Sequence, residues 1–263
     1  MPSLKLKYKA AGVTPSSQLN VTQRQDFYNQ MKDAVWKITV EYDADKTLKT
    51  YNGVCTNNKR DWSVIVTVWL GALKGDVIRV YSPDGTSQVM NLAESVLQDR
   101  RFGLSILFVD KKSNKDKAKY VRCISSNIDV GTSLYSVVHG PHQGPPMFFM
   151  GKSVYPFYAY TDTRSNLNRT RFNLLEYDNL IEEEKIILRL LNWLDNDVSL
   201  IQVEDLECAN AHENPENVYM GFQTGLGSPV FNANGRLLGI VAAQLDSWNI
   251  VIPSHYISKV GEN

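Results

Sequence analysis

Apolar and polar residues alternate along much of the chain. Trp36, Ile38 and Val40 share one face against Lys37, Thr39 and Glu41, the period-two pattern of a half-buried strand. Upstream, from Thr22, the pattern is helix-like and feeds that strand. Residues 1–25 carry Ser, Pro and Lys without a sustained period, so a flexible N-terminal tail is expected there. Downstream to about Val154 come short β-branched and aromatic runs: "KTYNGVCTNN", "WSVIVTVWL", "DVIRVYSPDG", "GLSILFVD", "KYVRCI", "TSLYSVVHG" and "MFFMGKSVYPF". Strands this short, separated by Asn, Asp, Gly and Pro, predict an antiparallel barrel or sandwich. "SPDG" and "NANG" are turn signals, because Gly and Asn tolerate positive φ.

Two stretches depart from this pattern. "DKKSNKDKAK", 110–119, reads as a solvated loop. "YDNLIEEEKIILRLLNWLDND", 177–197, has helical spacing at Leu180, Ile181, Ile187, Leu188, Leu191 and Leu194, with acids early and Arg189 later, which suits the helix dipole. Ile186, Leu190 and Trp193 widen its apolar face. Such a helix either packs on the barrel or docks a partner or a second copy. Glu182, Glu183 and Glu184 are consecutive and diverge around a helix, so they read as a solvated first turn rather than a metal or acid cluster. After Leu206 the β pattern resumes to the end.

Composition narrows the function classes. The 263 residues are 43% apolar and 21% charged, ordinary for a globular chain of one large or two small β-rich domains. Lys plus Arg and Asp plus Glu balance at 28 each, so no global field steers the chain toward nucleic acid or anionic lipid. Cys55, Cys123 and Cys208 are odd in number and widely spaced, against a disulfide framework or a zinc site. Reduced thiols, no signal-peptide run and no long apolar span lead to the expectation of an intracellular protein, cytoplasmic or nuclear, with no membrane, nucleic-acid, metal or cofactor partner.

The segments "GVCTNNKRDWSVIVTVWL", "FGLSILFVD", "DVGTSLYSVVHGPHQGPPMFFMGKSV", "TGLGSPVFNANGRLLGIV" and "NIVIPSHYI" follow in an order that resembles the trypsin-like serine protease domain, nearest in style to the Deg/HtrA branch and its plant relatives. The resemblance spans about Ala34 to Lys259. It implies an all-β-dominated fold over 26–262: two six-stranded antiparallel β-barrels of the chymotrypsin/trypsin type, about 34–125 and about 126–259, with a helical insertion at about 177–197. It also places the catalytic positions. The base histidine of the family falls on Leu70, after the matching Thr67; the orienting acid falls on Gly103; the nucleophilic serine falls on Leu226, followed by the matching Gly227, Ser228 and Pro229. Thr224 stands where the family has a glycine.

A leucine, a glycine and a leucine can neither take a proton nor attack a carbonyl. Leu70 and Leu226 read first as packing between the barrels, and otherwise as lining of an apolar ligand pocket. Ser228 is the one rescue nucleophile and would need a base within hydrogen-bond reach. His139 resembles no base position and reads, like His142, His212 and His255, as a polar residue rather than a base or metal ligand; Cys55 stands where a small buried residue is expected, and Cys123 and Cys208 have no evident histidine partner. The main expectation is a protease homologue without peptidase activity, binding a protein or an extended peptide through Thr224, Gly225, Leu226 and Gly227 or through Ile187, Leu191 and Leu194. The alternatives are a weak hydrolase using Ser228, or a relic.

Overall fold

The computed structural model describes residues 13–15, 17–58, 61–110, 119–124, 128–140, 144–159, 199–208, 225–245 and 248–261. The first element is helix α1, Val21–Met31. A capping box starts it: the Asn20 side chain accepts from Gln23 N, and the Gln23 side chain accepts from Asn20 N, both at 2.9 Å. A 3₁₀ turn, Lys32–Ala34, then delivers the chain into strand β1, Val35–Glu41.

The remaining strands of the first sheet are β2 (Leu48–Asn58), β3 (Trp62–Val68), β4 (Val77–Tyr81), β5 (Ser87–Met90), β6 (Val96–Asp99) and β7 (Leu104–Asp110). Their order is β5-β4-β1-β2-β3-β7-β6, so β5 and β6 are the two edges. Yet β6 follows β5 in the chain through only Asn91 and a short helix, α2, Leu92–Ser95. The six Cα–Cα steps from Met90 to Val96 span at most about 20 Å, so the sheet must curl until its edges approach. The sheet has seven strands, with α2 separating its two edge strands, β5 and β6.

The second sheet is a closed barrel in the order β10-β13-β12-β11-β8-β9. Its strands are β8 (Ser133–Val138), β9 (Met147–Ala159), β10 (Ser199–Cys208), β11 (Pro229–Phe231), β12 (Leu237–Leu245) and β13 (Trp248–Pro253). Both expected turn signals sit between hairpin strands. Gly85 (φ 85°) turns β4 into β5, and Gly235 (φ 68°) turns β11 into β12. All-β architecture with two antiparallel sheets is therefore the fold, as the alternation implies.

Two expectations need correction. "KYVRCI" is a connector rather than a strand, because its backbone serves both sheets in turn. Val121 N donates to Cys55 O in the first sheet at 2.9 Å, whereas Leu237 N donates to Arg122 O, and Ile124 N to Leu237 O, in the second. Nor is the chain free up to residue 25. Leu19 is buried and its N–H donates to the Tyr135 hydroxyl at 2.7 Å, while Ala233 N donates to Pro15 O. Phe27, fully buried, inserts among Tyr135, Phe148 and Phe231 with ring centroids 5.3, 5.9 and 6.0 Å away. The segment from Val13 through α1 thus packs on the second barrel before the chain enters the first. One apolar cluster runs through both sheets, from Phe27 and Trp36 to Tyr135, Phe231 and Ile250.

At the other end, a 3₁₀ segment, Ser254–Lys259, returns to the first sheet. Tyr256 stacks on Phe102 at 5.4 Å, and Gly261 N donates to Asp99 Oδ2 at 3.3 Å. Arg101 binds the same carboxylate through Nε at 3.1 Å and Nη2 at 2.7 Å. That guanidinium, aided by the Gly261 N–H, holds the Asp99 carboxyl below its ordinary 3.8 despite burial. A depressed carboxylate stabilises the fold above about pH 4 and gives that contribution up as pH falls lower. Asp99→Asn is expected to lower stability by about 1–2 kcal/mol at pH 7, toward the low side of charged hydrogen bonds because Arg101 is half exposed. Urea midpoints at pH 7 and pH 3 check this, the gap between the variant and the wild type being widest at pH 7 and narrower at pH 3. No helix among the described residues is long and apolar enough to cross a membrane.

Candidate functional site

The strand ends of β2, β3 and β7 meet the turn that precedes β11, and this junction holds the positions singled out in the sequence. Register sets the meeting point. Val68 of β3 pairs with Leu104 of β7, and just beyond the pair Trp69 N donates to Gly103 O at 2.7 Å. Gly103 turns the chain there with φ 65°, which a residue carrying Cβ adopts only at a cost. Leu70 follows, 3% exposed, its N–H donating to the buried Ser105 hydroxyl at 3.1 Å. Its carbonyl accepts from the Tyr42 hydroxyl at 2.6 Å, and Tyr42 lies 2.8 Å from the Tyr51 hydroxyl. Burial, with Tyr51 adding to it, holds the Tyr42 phenol far above its ordinary value, so this pair stays neutral.

Residues 225–228 form the opposing turn. Ser228 N donates to Gly225 O at 3.0 Å, closing it. Gly227 N donates to Val241 O at 2.8 Å, tying the turn to β12, and Asn52 N donates to Leu226 O at 2.8 Å, tying it to β2. Gly227 has φ 80°, and a Cβ there would overlap the Asn52 carbonyl oxygen and the Thr67 hydroxyl. Those two atoms already bond each other at 2.5 Å, so neither can retreat freely. The motif residues Thr67 and Gly227 are thus locally coupled: the threonine fixes a carbonyl against which only a glycine fits.

The Leu226 side chain is half-buried and packs against the same apolar cluster that contains Leu70. Ser228 is 1% exposed, and its Oγ has no hydrogen-bond partner among the described residues. A nucleophile needs both access and a base, and this hydroxyl has neither here. Thr224, His142, His212, Ile187, Leu191 and Leu194 lie outside the described residues. Gly225, Leu226 and Gly227 are the expected binding residues that the structure brings to the junction.

Two residues organise the site that the sequence did not assign to it: Asn52, which its pattern passed over, and His139, which it discounted as a base. Asn52, fully buried in β2, accepts from His139 N through Oδ1 at 2.6 Å and donates from Nδ2 to His139 O at 3.4 Å. His139 sits just past β8, half-buried, with Nε2 3.2 Å from Val35 O. Asn52 therefore grips both the end of β8 and the 225–228 turn. The available signal was an asparagine inside a β-branched and aromatic run, where that residue type is depleted. Of the cysteines, Cys55 is buried with Sγ donating to Asn57 O at 3.3 Å. Cys123 exposes part of its surface, yet surrounding protein desolvates the sulfur and pushes the thiol up to about 11, so it stays protonated at neutral pH. Among the described residues no group of three or more His, Cys, Asp or Glu side chains is disposed to hold a metal.

No family model matches the chain, and no curated protein does. Solved structures do. The crystal structure of Deg5 is similar with a TM-score of 0.56 at 14% identity, covering 90% of this chain and 91% of that one. The active form of the Rv3671c protease from M. tuberculosis gives the same score at 11% identity, over 96% and 91% of the two chains. An inactive mutant form of Rv3671c also gives 0.56, at 10% identity over 94% and 95%. At such identities the likeness shows the fold: the chain has the chymotrypsin-like double-barrel architecture.

Proposed function

We propose that this chain is a catalytically inactive homologue of trypsin-like serine proteases that serves as a protein- or peptide-binding module. The observation that supports this most directly is the contrast at the junction between the sheets. The scaffold there is well formed, with Thr67 bonded to Asn52 O, Asn52 N to Leu226 O and Gly227 N to Val241 O, while Leu70, Gly103 and Leu226 supply no group that could transfer a proton or attack a carbonyl. Extended peptides can bind a β-fold through main-chain hydrogen bonds, a mode that needs no triad. A second copy of the chain is one such partner.

A hydrolase relying on Ser228 is the competing reading, and the burial of that hydroxyl weighs against it. The folded protein is expected to show no labelling by a fluorophosphonate serine-hydrolase probe and no cleavage of a broad peptide library. Labelling that vanishes in Ser228→Ala would overturn the proposal and make this an unconventional hydrolase. Labelling that persists in Ser228→Ala would overturn it too, by placing an active nucleophile elsewhere.

A further inference from the structure

Among the described residues, His139 is a histidine that joins the two sheets. Its ring reaches β1 through Val35 O at 3.2 Å, and its main chain is held by the Asn52 amide from β2. Asn52 in turn holds the 225–228 turn through Leu226 O at 2.8 Å. The contacts meet in one residue: the Asn52 side-chain amide holds the main chain of residue 139, and the Asn52 main-chain N–H holds Leu226 O, so a shift of β2 at Asn52 reaches both. We propose that this junction is an acid-sensitive latch: on acidification the His139 ring leaves its seat beside Val35, residue 139 releases the Asn52 amide, and the 225–228 turn loosens from β2.

The charges around the ring favour this. From β1, Lys37 faces it, placed there because Lys37 pairs directly with Asn52 in the β1–β2 register. From β2 comes the neutral Asn52. Its own connection offers Gly140, and the opposing turn offers Gly225, Leu226, Gly227 and Ser228, none of them titratable. Among the described residues no carboxylate compensates an imidazolium at this point. Burial first, and Lys37 second, accordingly hold His139 below its ordinary 6.5, although the Val35 carbonyl favours the charged form. The sign follows. A histidine with a depressed folded value stabilises the assembled junction fully above its unfolded value, and that contribution is lost as pH falls below about 6.5. This window is separate from the carboxylate window of Asp99.

The test is hydrogen exchange of the full chain at pH 7.5 and 5.5, corrected for intrinsic exchange rates, in the wild type and in His139→Gln. Glutamine keeps an amide N–H for Val35 O and does not titrate. The expected result is that wild-type amides in 50–54 and 225–230 lose protection at pH 5.5, by at most about tenfold because pH 5.5 lies one unit below the ordinary histidine value, while the β4–β5 hairpin does not. In His139→Gln the same amides should respond little to pH. An equal response in both proteins, or unchanged protection in the wild type, overturns the latch. Should the variant not fold, the His139 ring resonance in wild-type protein decides it: a titration midpoint below 6.5 supports the proposal, and one at or above 6.5 ends it.

Discussion

Gly227→Ala is expected to destabilise the protein by about 4 kcal/mol or more, at the far end of what single substitutions do. Two independent penalties add. An alanine held at φ 80° carries a left-handed backbone strain of about 1–2 kcal/mol. Its methyl group would also overlap the Asn52 carbonyl oxygen and the Thr67 hydroxyl. Relief requires the turn to back away from β2, which breaks the Asn52 N to Leu226 O bond and pulls on the Gly227 N to Val241 O bond. Ser228, immediately after, is confined in a buried site with no room to absorb the shift. Chemical denaturation of the variant gives the answer: a midpoint close to that of the wild type would mean that the turn is not pressed against β2.

The second large effect concerns the N-terminal helix. Phe27→Ala is expected to lose about 3–5 kcal/mol, the range for emptying a buried aromatic site. Three rings, Tyr135, Phe148 and Phe231, lie within 6.0 Å of Phe27 by centroid, and removal leaves a void lined by all three. Partial collapse is hindered because Tyr135 and Phe148 are themselves stacked, 7° from parallel, and the Tyr135 hydroxyl is bound between Ser17 O and Leu19 N. Val21→Ala, at a position 79% exposed on the same helix, should change stability by less than about 0.5 kcal/mol. Thermal and urea unfolding of the pair separates the value of the buried face from that of the helix itself.

How much of this was legible in the sequence follows from where each signal resides. Strands such as β1, β3 and β7 bury apolar residues against a core and so advertise themselves by composition and period. The connector at 120–124 carries the same residue types, but its hydrogen bonds divide between two sheets, a distinction that composition does not encode. The segment from Val13 to α1 looked like a tail because it offers few apolar residues of its own. Its burial depends on aromatic partners more than 100 positions away. At the junction, Leu70, Gly103 and Leu226 were found because flanking Thr67 and Gly227 fixed the alignment. Asn52 went unremarked and His139 was weighed only as a base, because each is a single polar residue whose partners are distant in sequence, at separations of 87 and 104.

The packing of the first described residues on the second barrel also bears on the order in which the molecule is made. Pro15 meets Ala233, and Phe27 meets Phe231. During synthesis, helix α1 emerges well before Phe231, whose arrival completes its aromatic socket. The first sheet, built from neighbouring hairpins between Val35 and Asp110, can pair its strands long before that. Until release, a helix with Phe27 and Met31 on one face remains without its seat, next to a half-finished molecule. Closing the segment around α1 over the second barrel thus follows pairing of the first sheet, and a chain stalled shortly before residue 231 would display that apolar face to chaperones.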